Sequence, residues 1–329
     1  MINKFSKLKS ITESEIIEKY LKKLNFDKRE SFGFENDSAY LNSFKNKKTI
    51  VTNDSIVEDV DFFKNDSAQS IAQKIVTSNL SDLSAMGSKP YCYTLNLCMP
   101  KYITIDWLDS FSNYLIKLQK KYNFFLLGGD LSKSKQLMIS STFFGHAEYK
   151  NIISRNKVSI DDDIWVTGSL GETYAGLKIL KNKISKNLDI KIKNYFLKKY
   201  YFPTPCMIGY KIAKYCNSGI DVSDGFICDL KKMIGTRFGA KIQLNSLPTS
   251  RFMKIMLKKN ALRFDEIINC GDDYELILIV PNKNSNKIQE IAHKNKIKIS
   301  KIGKIIKTNG IFSEYGKNLI TKNYFKHFA

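Results

Sequence analysis

The stretch Ile71–Pro90, IAQKIVTSNLSDLSAMGSKP, constrains this chain more than any other. Its spacing predicts a helix in which Ile71, Ile75, Asn79, Asp82 and Met86 share one face. An acid on a face that otherwise reads as core is costly unless it has a partner. Asp82 therefore calls for a metal ion or for backbone N–H groups, and this stretch alone leaves both open. Ser81, Ser84, Ala85 and Gly87 let another backbone or a ligand come close.

With 329 residues the chain is long enough for two ordinary domains, and a boundary near Tyr149–Ile153 gives 1–150 and 151–329. A hydrophobic content of 43% is that of a globular protein. No apolar run is long enough to cross a bilayer, and the basic N-terminus lacks the apolar segment of a secretory signal. The six cysteines are scattered without a C-x-x-C pair, which argues against a zinc site and a disulfide framework. A cytoplasmic location is expected. The net charge of +21 comes from lysines spread along the whole chain, with no zinc finger, RRM signature or basic arm. Nucleic-acid binding is not expected. The same charge favours small anionic substrates.

Thr12–Leu24 reads as an amphipathic helix with a Thr12/Glu15 capping box. Thr49–Thr52 reads as a strand with Asn53-Asp54-Ser55 at its end, and Asp37 sits at an earlier turn. NFFLLGGDLSKS reads as a buried strand ending at Gly128-Gly129-Asp130, where glycines allow close backbone approach. DDDIWVTGSLGETYAGLKIL reads as strand, glycine turn and helix. Such a turn either presents free N–H groups to a phosphate or is a plain connection. It is not a Walker loop. Lys181–Lys199 reads as an exposed helix pair or an insertion. A strand over Gly219–Val222 runs into Ser223-Asp224-Gly225 and a helix, with Asp221 and Ser223 on one side by alternation. An acidic turn, Asp272-Asp273, precedes an apolar strand, and the aromatic residues Tyr324, Phe325 and Phe328 suggest a docked tail.

The three histidines form no H-E-x-x-H and pair with no G-x-S-x-G serine, so hydrolase triads and zinc catalysis have no support. What recurs is aspartate at strand ends and turns: Asp37, Asp54, Asp82, Asp130, Asp221 and Asp224. Oxygen-only ligands suit Mg²⁺ when phosphates complete its shell. Phosphoryl transfer mostly needs positioning and charge neutralisation. It needs no strong base when the acceptor is already an ionised phosphate.

TNDSIVEDVDFF, NLSDLSAMGSKP, LLGGDLSKS, the run from Arg155 through Asp161-Asp162-Asp163 to Gly171, YFPTP, IDVSDGFICDL and GDDYEL occur in this order. Together they resemble the thiamine-monophosphate kinase family, whose ATP-binding fold is shared with aminoimidazole ribonucleotide synthetase. The resemblance spans about Phe32 to Phe328. It implies an α/β (α+β) two-domain fold. The N-terminal ATP/Mg-binding domain would form a β-barrel across a homodimer, and the C-terminal domain would be a mixed sheet with helices. The active site would lie in a cleft between the domains. The implied reaction is ATP-dependent phosphorylation of thiamine monophosphate to thiamine diphosphate by direct in-line transfer.

By position, Asp37, Thr52, Asn53, Asp54, Asp82, Asp130, Asp221 and Asp224 match the family's Mg²⁺ ligands, with Asp82, Asp130 and Asp224 at the reaction centre. Gly129, Asp130, Arg155 and Ser223 match its ATP contacts, and Asp61, Asp272 and Phe325 its thiamine-phosphate contacts. Three departures stand out. Glu35-Asn36-Asp37 replaces Gly-Asp-Asp, Asp61 replaces a usual histidine, and Asp272 and Cys270 replace a usual Glu and Gly. The alternatives are a same-fold enzyme with another acceptor and a non-catalytic nucleic-acid-binding protein.

Overall fold

In the computed structural model, which describes residues 11–36, 38–184 and 188–320, the chain forms two compact units. One lies within Met1–Leu83 and Lys89–Glu148, the other within Ser84–Ser88 and Tyr149–Ala329. Asp37, Tyr324, Phe325 and Phe328 lie outside the described residues. No described helix is long and apolar enough to cross a membrane.

In the first unit, Thr12 accepts from the Glu15 backbone and Glu15 returns the bond, capping α1 (Glu13–Ile16). The expected single α-helix instead widens and then tightens. A π-helical stretch, Ile17–Leu21, and a 3₁₀ turn, Lys22–Leu24, carry it on. Along β1 (Lys47–Val57) burial alternates: Ile50, Thr52, Asp54 and Ile56 point inward, while Thr49, Val51, Asn53 and Ser55 are exposed. The strand therefore does not end at Thr52. Asn53 and Asp54 are paired with Thr142 and Ser141, because eleven residues of ladder continue through them.

α2 (Ala68–Ala85), β2 (Lys89–Met99), α3 (Ile105–Tyr122), β3 (Phe125–Lys133) and β4 (Met138–Glu148) follow. α3 is capped by Thr104 and closed by Asn123 in the left-handed region. The sheet order is β1-β4-β2-β3, antiparallel except for the parallel β2–β3 pair. Tyr93 and Phe143 stack on its buried face, with ring centroids 4.9 Å apart. β3 also runs past its expected end, since Gly129 and Asp130 pair with Leu95 and Asn96. A Cβ on Gly129 would lie 1.9 Å from the Leu95 carbonyl oxygen, so the backbone that the diglycine admits is the neighbouring strand.

The second unit holds β5 (Asp163–Thr167), α4 (Glu172–Leu180), α5 (Ile190–Tyr201), α6 (Gly209–Ile212), β6 (Ser218–Asp221), α7 (Phe226–Ile234), β7 (Gly239–Ile242), α8 (Arg251–Lys258), α9 (Phe264–Ile268), β8 (Leu276–Val280), α10 (Ser285–Lys294), β9 (Ile299–Ile306) and β10 (Gly310–Ser313). Its mixed sheet has the order β10-β7-β9-β5-β8-β6. β8 is buried throughout, and alternation divides it between two cores. Ile277 and Ile279 join Ile164, Val166 and Phe226 on one side; Leu276, Leu278 and Val280 join Trp165 and Ile288 on the other. Both faces are covered, as a continuous apolar strand requires.

The lysine-rich stretch expected to be exposed instead supplies α5. Its Ile192, Phe196 and Tyr200 are buried at helical spacing. Phe196 and Tyr200 press so close to Gly176 that any Cβ there would clash.

Gly129→Ala should unpair β2 from β3. A loss of about 2–4 kcal/mol in urea denaturation is expected, against no more than about 1 kcal/mol for Gly128→Ala, whose Cβ would meet nothing within 4 Å.

Candidate active site

The inward face of β1 and the C-terminal half of α2 bring Thr52, Asp54, Ser78 and Asp82 together. Ser78 and Asp82 are four residues apart and so lie on one face of α2. The Thr52 hydroxyl donates to Asp82 Oδ2 at 2.5 Å. Ser78 bonds the Asp54 carboxylate, whose pKa is pushed up to about 6 by burial first and then by the charge of Asp82. Asp54 Oδ2 is buried without a hydrogen-bond partner among the described residues. Asp82 is half-buried, while Ile71, Ile75 and Asn79 are core. The two faces thus diverge by part of a turn from the single one expected.

A buried carboxylate with one unpartnered oxygen, beside a second carboxylate and a hydroxyl, is an oxygen-only donor set. These residues fit Mg²⁺.

The other residues of this unit on the expected list do not join that group. Asn53 is on the outer sheet face, where its amide donates to Thr142 at 2.8 Å. Asp130 is exposed in the register row that runs Ser55, Ser140, Asn96, Asp130 across the sheet, and it accepts from Ser132 at 2.9 Å. Strand alternation separates them from Thr52 and Asp54. Asp61 closes the turn after β1, its carboxylate accepting the Val57 N–H at 2.8 Å.

In the second unit Asp221 ends β6 and is buried, with the Ser223 hydroxyl 3.5 Å from its Oδ1. Asp224 is paired with Lys232. The turn carrying Ser223 and Asp224 is held by Asp229, whose Oδ2 accepts from the backbone of Ser223, Asp224 and Gly225 at 3.1, 2.9 and 3.1 Å. Asp272 is exposed with φ +62° and accepts from the Tyr274 hydroxyl at 3.0 Å. Arg155 is exposed in the loop before β5.

The glycine turn before α4 is not available to phosphate. The carboxyl group of Asp273 accepts from Gly171 and Glu172 at 2.6 and 3.1 Å, so these N–H groups at the helix N-terminus already have their acceptor. Burial raises Asp273 well above the usual carboxylate range and Glu275 to about 7. Glu275 is held by the Thr167 hydroxyl at 2.6 Å.

Sequence reasoning missed Ser78, Asp229 and Lys232, and named Asp273 only as part of an acidic turn. Ser78 could have been found from its four-residue offset to Asp82. Asp229 could have been found as an acid in the first turn of α7.

The first unit matches the family AIR synthase related protein, N-terminal domain, over residues 35–147. The chain is 36% identical to thiamine-monophosphate kinase of Buchnera aphidicola subsp. Schizaphis graminum, over 96% of this chain and 98% of that one. It superposes on the crystal structure of thiamine-monophosphate kinase from Stenotrophomonas maltophilia with a TM-score of 0.83 at 25% identity, covering 95% and 98% of the two chains. On AaThiL complexed with AMPPCP and TMP the TM-score is 0.76 at 24% identity, covering 89% and 91%. The mixed α/β architecture, with its two sheets, is therefore that of the AIR-synthase-related proteins. Within that class, the chain belongs to the thiamine-monophosphate kinase family.

Asp54 has a pH signature. A folded-state pKa of about 6, above the ordinary 3.8, means the native state holds its proton longer than the unfolded chain. Its contribution therefore falls as pH rises from about 4 to about 6 and stays unfavourable above that. In EDTA, Asp54→Asn should be more stable than wild type at pH 7–8 by about 1–3 kcal/mol, and the gap should close toward pH 4. Denaturant melts across pH read this directly.

Proposed function

We propose that this chain is an ATP-dependent kinase that phosphorylates thiamine monophosphate to thiamine diphosphate by direct in-line transfer. Family membership over nearly the whole chain supports the reaction. The observation that carries the site is the pairing of Asp54 and Asp82, with one carboxylate oxygen left unsatisfied in the interior.

Mg²⁺, when bound, supplies the positive charge that offsets the phosphates. The chain's own groups do the positioning. Thr52 fixes the Asp82 carboxylate and Ser78 orients that of Asp54. Asp221 and Asp224 are the proposed metal ligands on the β6–α7 connection of the second unit, and Asp37 is proposed from its family position. Asn53 and Asp130 face the other side of the first unit's sheet and are not part of the Asp54–Asp82 group. Gly129, Asp130, Arg155 and Ser223 contact ATP, and Asp61, Asp272 and Phe325 contact the thiamine phosphate. The acceptor oxygen is ionised at neutral pH, so no residue has to remove a proton from it. A cytoplasmic location goes with this reading.

A homodimer built through the first unit is also proposed. Val51 is 56% and Met138 37% exposed on the outer face of the sheet. Among the described residues β1 and β3 are its unpaired edges. Two such edges and faces can close into a barrel. Val51→Lys should shift the sedimentation coefficient from dimer to monomer, and an unchanged dimer would argue against this face.

A second acceptor is favoured by one observation: Asp61 stands at a proposed substrate contact where the resemblance has a histidine. A coupled assay with Mg-ATP should give thiamine diphosphate from thiamine monophosphate, and little from thiamine or other phosphate monoesters. Turnover of another monoester in preference would transfer the assignment to that acceptor. Asp82→Asn should lower kcat by about 10²-fold or more, with its melting midpoint near wild type. Retained turnover would remove Asp82 from the site.

A further inference from the structure

Lys232 lies where the proposed metal would compete with it. On α7, its ammonium bonds Asp229 Oδ1 at 2.8 Å and is also paired with Asp224. Asp229 is completely buried, and its other oxygen holds the backbone of the turn that carries Asp224. One buried acid thus fixes both the position of the Asp224 main chain and the cation against the Asp224 side chain. A lysine ammonium beside two carboxylates is cationic in the neutral range.

The Lys232 side chain is 40% exposed and that of Asp224 38%, so their half of the arrangement faces solvent and can exchange. The Asp229 half cannot exchange without leaving a buried charge alone. A divalent ion approaching Asp224 therefore meets a like charge on a short tether.

We propose that Lys232 is a resident counter-cation of Asp224, which a divalent ion must displace, so that this lysine sets the Mg²⁺ concentration at which the site fills. This inference rests on Asp224 being a metal ligand.

Mn²⁺ binding to the full chain, followed by electron paramagnetic resonance without nucleotide, separates the two ideas. Lys232→Met keeps the helix and the apolar stem but removes the charge. It should bind Mn²⁺ about five- to tenfold more tightly. Lys232→Arg should bind as wild type does. In the Asp224→Asn background the gain from Lys232→Met should vanish. If Asp224→Asn weakens Mn²⁺ binding while Lys232→Met, with an unchanged circular dichroism spectrum, gives equal or weaker binding, the lysine does not compete and only this inference fails. If Asp224→Asn leaves Mn²⁺ binding unchanged, Asp224 is not a ligand, and the metal assignment falls with the inference.

Discussion

Asp54 and Asp82 hold negative charge on inward-facing positions of one unit, and much around them follows from that. A carboxylate out of water needs donors or a cation. Thr52 and Ser78 answer part of the demand, and Asp54 keeps one oxygen unanswered. Asp54, at a pKa of about 6, is strained electrostatically by burial and by its neighbour. Such strain is the usual mark of a site that completes itself with a ligand. The outer face of the same sheet shows no such tension, since Asn53 and Asp130 each have a neutral side-chain partner there.

The second unit sorts its acids differently. Asp273 satisfies the start of α4, Glu275 accepts from Thr167, and Asp229 ties three consecutive N–H groups. These acids stabilise backbone and are consumed in doing so. Asp221 and Asp224 stand beside them on the same β6–α7 connection, one buried at the strand end and one open to solvent. Sequence alone does not distinguish a structural acid from an available one, because both occur at turns and helix starts.

Much of the local structure was legible. The capping box at Thr12, the strand, glycine turn and helix from Asp163 to Leu180, and the short strand and helix around Ser223-Asp224-Gly225 follow from short-range chemistry that acts within a few residues. Where expectation failed, a longer-range partner had intervened. β1 continues through Asn53 and Asp54 because β4 offers a full ladder. β3 continues through Gly129 because β2 comes too close for any side chain there. α5 looked like solvated lysines, but its three apolar residues are spaced to pack against α4.

By itself the sequence determined the family, the repeated use of aspartate and the elements that carry it, since periodicity, caps and motif order are local properties of the chain. Tertiary structure alone decided which acids are available. Strand register places Asp54 inward and Asn53 outward, and helical phase turns Asp82 toward Thr52. Packing hands Asp229 and Asp273 to backbone N–H groups. Whether a carboxylate keeps a free oxygen depends on the donors that surround it in space, and those come from residues far away in the chain.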